Sequence, residues 1–245
     1  SKCGTPVLRG FHICYIQHET IRNFYMPLDC ILWDFNGTVL DDVQIGIDSI
    51  NALLKRRNLP LLEGRDAYCA NFGFPIEKWY RHLGFDFEKE SFEALAVEWV
   101  REYESRENQI SMVPGVQDVL AFFNEKKIPQ IIISASESKM LRRQLKALNM
   151  EAYFSQILGS DNIYATGKTG SAVFWRKNHP NARALFIGDT DHDYEAASAI
   201  GAACALVAAG HQSYERLMRF SAHADVYHDM KDFYQALLKV QANFI

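Results

Sequence analysis

Three short apolar runs, far apart in the chain, each stop at a residue that can do chemistry. Cys30 to Trp33 runs into Asp34, Ile131 to Ile133 into Ser134, and Leu185 to Ile187 into Gly188 and Asp189. Runs this short, without polar alternation, read as strands buried on both faces. A glycine turn at Asn36-Gly37 follows the first directly. Helical stretches are predicted between and after them, over 116–127, 139–149, 171–177 and 194–200, then a strand over 204–207 and a last helix over 232–241. This alternation predicts an α/β fold: a doubly wound, mostly parallel sheet with a Rossmann-like core. Such sheets gather ligands beyond the carboxyl ends of their strands. Asp34, Ser134 and Asp189 are therefore expected at one edge.

One stretch breaks the rhythm. Residues 43–110 read as nearly all helix, with Ile47, Ile50, Leu53 and Leu54 near helical spacing and Phe92, Leu95, Ala96, Trp99 and Tyr103 on a longer amphipathic helix. Asn71 to Pro75 interrupts shorter helices between them. The expected organisation is an N-terminal extension over 1–27, an α/β core over 28–42 and 111–245, and a small all-helical domain over 43–110. Ser1 to Pro27 lacks a basic segment followed by a continuous apolar one, so it does not read as a signal peptide. Phe11, Ile13, Tyr15 and Ile16 leave open that it packs on the fold instead.

Composition narrows the functional classes. The chain has 245 residues, long enough for a large core. A net charge of −4 gives no basic surface for nucleic acid, and no apolar run is long enough to span a membrane. The five cysteines are scattered and odd in number, with neither a disulfide framework nor a metal-binding CxxC spacing. A reducing, cytoplasmic setting is expected. Oligomeric state is not legible.

The residue types at the strand ends point to phosphoryl chemistry. Asp34 can attack, bind a metal, or do both. Ser134 adds a hydroxyl, Lys168 in Thr166-Gly167-Lys168-Thr169-Gly170 adds a cation, and Gly188-Asp189-Thr190-Asp191-His192-Asp193 adds carboxylates. Each has a plainer reading alone: Asp34 as a turn residue, Ser134 as a helix cap, Lys168 as a solvated loop lysine, and Asp191 and Asp193 as first-turn acids of a helix. His192 is assigned no role.

In that order, the four motifs resemble those of the haloacid dehalogenase-like hydrolase superfamily, from residue 28 onward. The helical insert resembles its C1 cap, and Gly73-Phe74-Pro75 resembles the substrate-facing loop of its phosphoglycolate-phosphatase-like branch. The resemblance implies a Mg²⁺-dependent hydrolase of small phosphate monoesters working through an aspartyl phosphate. Asp34 would be nucleophile and metal ligand, with Asp189, Asp193 and the Asn36 carbonyl as further ligands. Lys168 would touch both Asp34 and the phosphoryl group, and Gly37, Thr38, Ser134 and Ala135 would hold phosphate oxygens. The partner implied is a small phosphorylated metabolite.

One residue departs from the pattern. Phosphatases of this family usually carry a second Asp two residues after the nucleophile, as the acid and base; this chain has Asn36. An amide neither gives nor takes a proton near neutral pH, and general acid–base help is typically worth about 10²–10⁴-fold. Three readings follow: a slow or specialised phosphatase with a good leaving group or another acid, Asp41 and Asp42 being candidates; a phosphonate-cleaving relative using a cap lysine such as Lys55; or a phospho-ligand-binding protein with little turnover. On the first reading, Asn36→Asp is expected to raise turnover.

Overall fold

The computed structural model describes residues 28–164 and 167–242. The expectations placed on residues 1–27 lie outside it.

Six parallel strands form the main sheet. In chain order they are β1 (Cys30–Trp33), β4 (Gln130–Glu137), β5 (Gln156–Ser160), β6 (Ala184–Gly188), β7 (Ala203–Val207) and β8 (Asp225–Tyr227). Their spatial order is β5-β4-β1-β6-β7-β8, and every pairing is parallel. β1 is central, with β4 on one side and β6 on the other, so the winding reverses next to it. That reversal opens a crevice at the carboxyl ends of these three strands.

Alternation along each strand splits the core in two. In β1, Ile31 and Trp33 point into one apolar cluster, and Cys30 and Leu32 into the other. The first cluster is closed by helices α5 (Val116–Glu125), α6 (Ser138–Ala147) and α9 (Met230–Ala242), through Val119, Leu120, Leu141, Leu145, Phe233 and Leu237. The second is closed by α7 (Thr169–Asn178) and α8 (Asp191–Ala199), through Ala172, Trp175, Ala196 and Ala197. Two-sided burial explains why these strands lack polar alternation. The Trp33 indole N–H keeps a partner inside the core by donating to Gln130 Oε1 at 3.0 Å.

Between Asp41 and Ser111 the chain is helical: α1 (Val43–Arg56), α2 (Gly64–Asn71), α3 (Ile76–His82) and α4 (Phe92–Glu104). These helices share an apolar cluster of their own, with Ile50, Leu53, Leu54, Tyr68, Trp79 and Leu95 at its centre. The chain leaves and returns through a two-stranded antiparallel ribbon, β2 (Leu40–Asp41) against β3 (Ser111–Met112). Arg57 clamps Glu90 and Glu98 across the helical unit, and Arg56 joins Glu98 and Glu102.

Candidate active site

β1 delivers Asp34 into the crevice, and the turn after it is shaped by contacts that only glycine allows. Gly37 has φ +75°, and a Cβ there would lie 2.3 Å from Asp189 Oδ2. β6 ends in the same way. A Cβ at Gly188 would meet Asp193 Cγ at 2.1 Å, so the acidic helix start can close over the strand end.

Asp34, Asp189 and Asp193 each offer an oxygen within 4.8 Å of the others, and all three are buried. Lys168 sits among them, its Nζ 2.5 Å from Asp34 Oδ1 and 2.6 Å from Asp193 Oδ1. The four side chains named from the sequence therefore meet. Asp193 Oδ2 accepts from Thr190 N at 2.9 Å and Thr190 Oγ1 at 2.7 Å, so this carboxylate both opens α8 and orients the lysine. Asp189 is held by the Thr38 hydroxyl at 3.0 Å and by the His211 backbone N–H at 2.5 Å.

Charge is out of balance here. Three carboxylates share the buried site with one ammonium, a formal surplus of two negative charges when all three are ionised. Burial, then repulsion from Asp193, pushes the Asp34 carboxyl well above its ordinary range despite Lys168. Burial and Asp193 likewise push Asp189 up to about 7. Lys168 shifts upward because the attraction of Asp193 and Asp34 outweighs its own burial. A divalent cation would cancel the surplus, and an all-carboxylate donor set with no sulfur or imidazole suits a hard one.

Around Asn36 the arrangement differs from expectation. Its Nδ2 donates to Asp42 Oδ2 at 2.6 Å, and its Oδ1 accepts from Ser136 Oγ at 2.6 Å. Asp42 is 3% exposed and also accepts from Tyr103 OH at 2.8 Å and Gly37 N at 3.2 Å, with His211 Nε2 3.2 Å away. Burial alone would raise its pKa, but His211, Asn36 and Tyr103 outweigh that and hold it below the usual carboxylate value. Of the two hinge acids, Asp42 and not Asp41 lines the crevice.

The phosphate-binding set is also rearranged. Thr38, expected against a phosphate oxygen, is fully buried and spends its hydroxyl on Asp189. The Gly37 N–H, expected to do the same, is committed to Leu40 O at 2.8 Å and to Asp42. Ser134 and Ala135 do line the crevice. The Ser134 Oγ accepts from Ser136 N at 3.0 Å, while the cap of α6 is Glu137, which accepts from Met140 N. Asp191 pairs with Arg216 at 2.7 Å, and His192 Nε2 accepts from the Lys168 N–H at 3.2 Å.

Sequence reading missed His211, Tyr68 and Tyr103. The Tyr68 hydroxyl lies 2.9 Å from His211 Nδ1, so the histidine ties the helical unit to Asp42. The available signal was Gly210. It follows β7, and a Cβ there would lie 2.0 Å from Asp189 Oδ2.

Comparison with known proteins identifies the family of the chain. Residues 31–207 match the family described as haloacid dehalogenase-like hydrolase. The chain is similar to the phosphoglycolate phosphatase of Pseudomonas savastanoi pv. phaseolicola, 24% identical over 192 residues that cover 74% of this chain and 70% of that one. It is similar to the phosphoglycolate phosphatase of Photorhabdus laumondii, 26% identical over 186 residues (71% and 77%). Its fold is shared with a haloacid dehalogenase-like hydrolase of Streptococcus pneumoniae, with TM-score 0.71 and 20% identity over 89% of this chain and 99% of that one. It is also shared with Protein Tyrosine Kinase A of Mycobacterium tuberculosis, with TM-score 0.69 and 22% identity over 86% and 98%. The match spans the strand-end residues from Asp34 through Asp193, and on that basis this chain belongs to the haloacid dehalogenase-like hydrolase family.

Proposed function

We propose that this protein is a Mg²⁺-dependent phosphatase of small monoesters, with Asp34 as the nucleophile. The observation that carries the reading is the meeting of Asp34, Asp189, Asp193 and Lys168 in one buried cluster. Asp34 and Asp189 would hold the metal. Asp193 has Oδ1 on Lys168 and Oδ2 on Thr190, so it serves directly through Oδ1 or through water. Mg²⁺ suits such a site because it takes few carboxylates and keeps waters; when bound, it supplies charge neutralisation for the phosphoryl oxygens.

The chain's own groups do the rest. Asp34 stands at the strand end and lines the crevice. Lys168 is already on Asp34, so an approaching phosphoryl group meets a cation beside the nucleophile, which offsets their repulsion. Ser134 and backbone donors near Ala135 orient the phosphoryl oxygens. Attack forms the bond from Asp34 Oδ to phosphorus, and the ester oxygen leaves with its electron pair. Water then attacks phosphorus and frees Asp34. The helical unit covers the crevice and keeps bulk water out. Lys168 is the one lysine lining the crevice among the described residues, and Lys55 lies on an exposed face of α1. The phosphonate-cleaving reading therefore has no lysine free to form a Schiff base there.

Phosphate release from small esters should require Mg²⁺ and stop on chelation. Tight ligand binding with no phosphate from any ester would instead favour a binding protein. Metal also has a stability signature. Asp34 and Asp189 have folded pKa values above their unfolded ones, so the stability they contribute is full below about pH 4 and is lost as pH rises through about 7 for Asp189. Metal reverses that loss. At 100 times its Kd it adds about 2.7 kcal/mol, or about 5–10 °C in Tm for a chain this size. The gap between Tm in Mg²⁺ and in EDTA is expected to widen from pH 5 to pH 8. A gap of zero at pH 8 would refute the metal site.

A further inference from the structure

We propose that the leaving group is an aromatic alcohol, so that this site hydrolyses aryl phosphates in preference to phosphoglycolate. The proposal rests on the phosphatase reading above and narrows it. Two independent features carry it.

The first is the wall facing the nucleophile. A cavity of about 150 Å³ runs from Asp34, Ser134 and Lys168 up to an aromatic lining of Phe72, Phe74, Trp79, Phe92, Trp99 and Tyr164. Beyond the nucleophile its wall is made of rings, the surface an aromatic leaving group packs against. Rings already meet one another along it: Phe72 lies 5.5 Å from Phe74 and 5.0 Å from Trp79, and Phe92 on α4 lies 6.4 Å from Tyr164 on the core side. A flat ring entering here gains stacked and edge-on partners. A carboxylate gains nothing. Among the described residues lining the cavity, Lys168 is the only Lys or Arg, and Asp34 and Asp193 hold it. The other acidic lining groups are Asp42, already engaged by His211, Asn36 and Tyr103, and Glu137, and neither attracts an anion.

The second is Asn36. An amide cannot protonate the departing oxygen. Aliphatic alkoxides approach hydroxide in basicity (pKa of water about 15.7) and need that proton. A phenolate, with pKa about 10, departs without it. In the balanced step the Asp34–phosphorus bond forms, the phosphorus–aryl oxygen bond breaks, and the phenolate takes its proton from water once released. The aromatic lining and the missing acid thus select the same class of ester.

The test uses the full chain with Mg²⁺ and compares kcat/KM for substituted phenyl phosphates, phosphoglycolate and acetyl phosphate, with Asp34→Asn as the control. Phenyl phosphate should exceed phosphoglycolate by about 100-fold or more, the scale of the absent acid. Within the phenyl series, the rate should rise as the phenol becomes more acidic. Trp99→Ala should lower the preference for phenyl over acetyl phosphate about tenfold. Tyr164→Ala, on a loop, gives the same readout if the Trp99 variant does not fold. Asp34-dependent turnover with phosphoglycolate equal to or faster than phenyl phosphate would overturn the aryl proposal and leave the phosphatase reading standing. No Asp34-dependent phosphate from any ester, nor from the anhydride acetyl phosphate, would overturn both.

Discussion

Asp34→Asn is expected to abolish phosphate release, with a loss of about 10⁴–10⁶-fold of the kind seen when a covalent nucleophile is removed, while leaving a folded protein. The two outcomes follow from one geometry. Asp34 is the lining carboxylate that Lys168 pairs with, and on the proposed mechanism it forms the bond to phosphorus. Yet in the metal-free protein Asp34 is also a cost, since burial and Asp193 disfavour its charge. The amide keeps the shape and removes one negative charge from a cluster that has two too many. Lys168 retains Asp193 at 2.6 Å as its counter-ion. In EDTA at pH 8 the variant should melt no lower than the wild type, and its Mg²⁺-induced rise in Tm should shrink. Full activity in Asp34→Asn would remove Asp34 from the mechanism. Lost activity together with a collapsed Tm would mean the residue is structural.

How far the sequence reveals this molecule depends on how local each signal is. β1, β4 and β6 are legible because burial on both faces leaves an uninterrupted apolar run in each. β5 and β8 are not. β5 is an edge strand, Gln156–Ser160, with a half-exposed face, and β8 has only three residues. The ribbon of β2 and β3 rests on two-residue strands 70 positions apart, which no periodicity can mark. The site divides along the same line. Asp34, Ser134 and Asp189 are strand-end residues, and Lys168 lies in a glycine-rich turn, so each announces itself locally. The group around Asp42 does not. Tyr103, Tyr68 and His211 come from α4, α2 and the loop after β7, and only the tertiary fold brings them together. Thr38 shows the limit from the other side. A hydroxyl at a promising spacing proves to hold Asp189, because it is fully buried.

That neighbourhood also changes what restoring the second Asp should do. Position 36 faces a carboxylate: Asn36 Nδ2 donates to Asp42 Oδ2 at 2.6 Å. In Asn36→Asp the donor becomes an acceptor, and two carboxylates at that separation share a proton, with one pKa strongly raised. The shared proton points at Asp42 and not at a leaving group, so the single substitution should give little gain in kcat, contrary to the expectation from sequence. Its stability should also acquire a pH dependence. A raised folded pKa gives a contribution that is full below about pH 4 and lost as pH rises through the higher folded value, so its Tm should fall relative to wild type between pH 5 and 8. Exchanging the pair removes the conflict. In Asn36→Asp/Asp42→Asn the amide at 42 donates to the carboxylate at 36, one negative charge remains, and the second oxygen at position 36 keeps the Ser136 hydroxyl at the crevice lining, as Asn36 Oδ1 does now. Gly37 N can still donate to the carbonyl oxygen of the new amide, as it does now to Asp42 Oδ1, while the Tyr103 hydroxyl, now on Asp42 Oδ2, turns to accept from the amide nitrogen. With phosphoglycolate, whose alkoxide needs the proton, the double variant should raise kcat by about 10²-fold, the lower end of the range for a positioned acid–base group, with little change for phenyl phosphate. Kinetics and melting curves of the two variants decide the matter. A single variant as fast as the double on phosphoglycolate would show that Asp42 does not control the residue at 36, and a double variant no faster than wild type on that ester would show that a proton is not what limits its turnover.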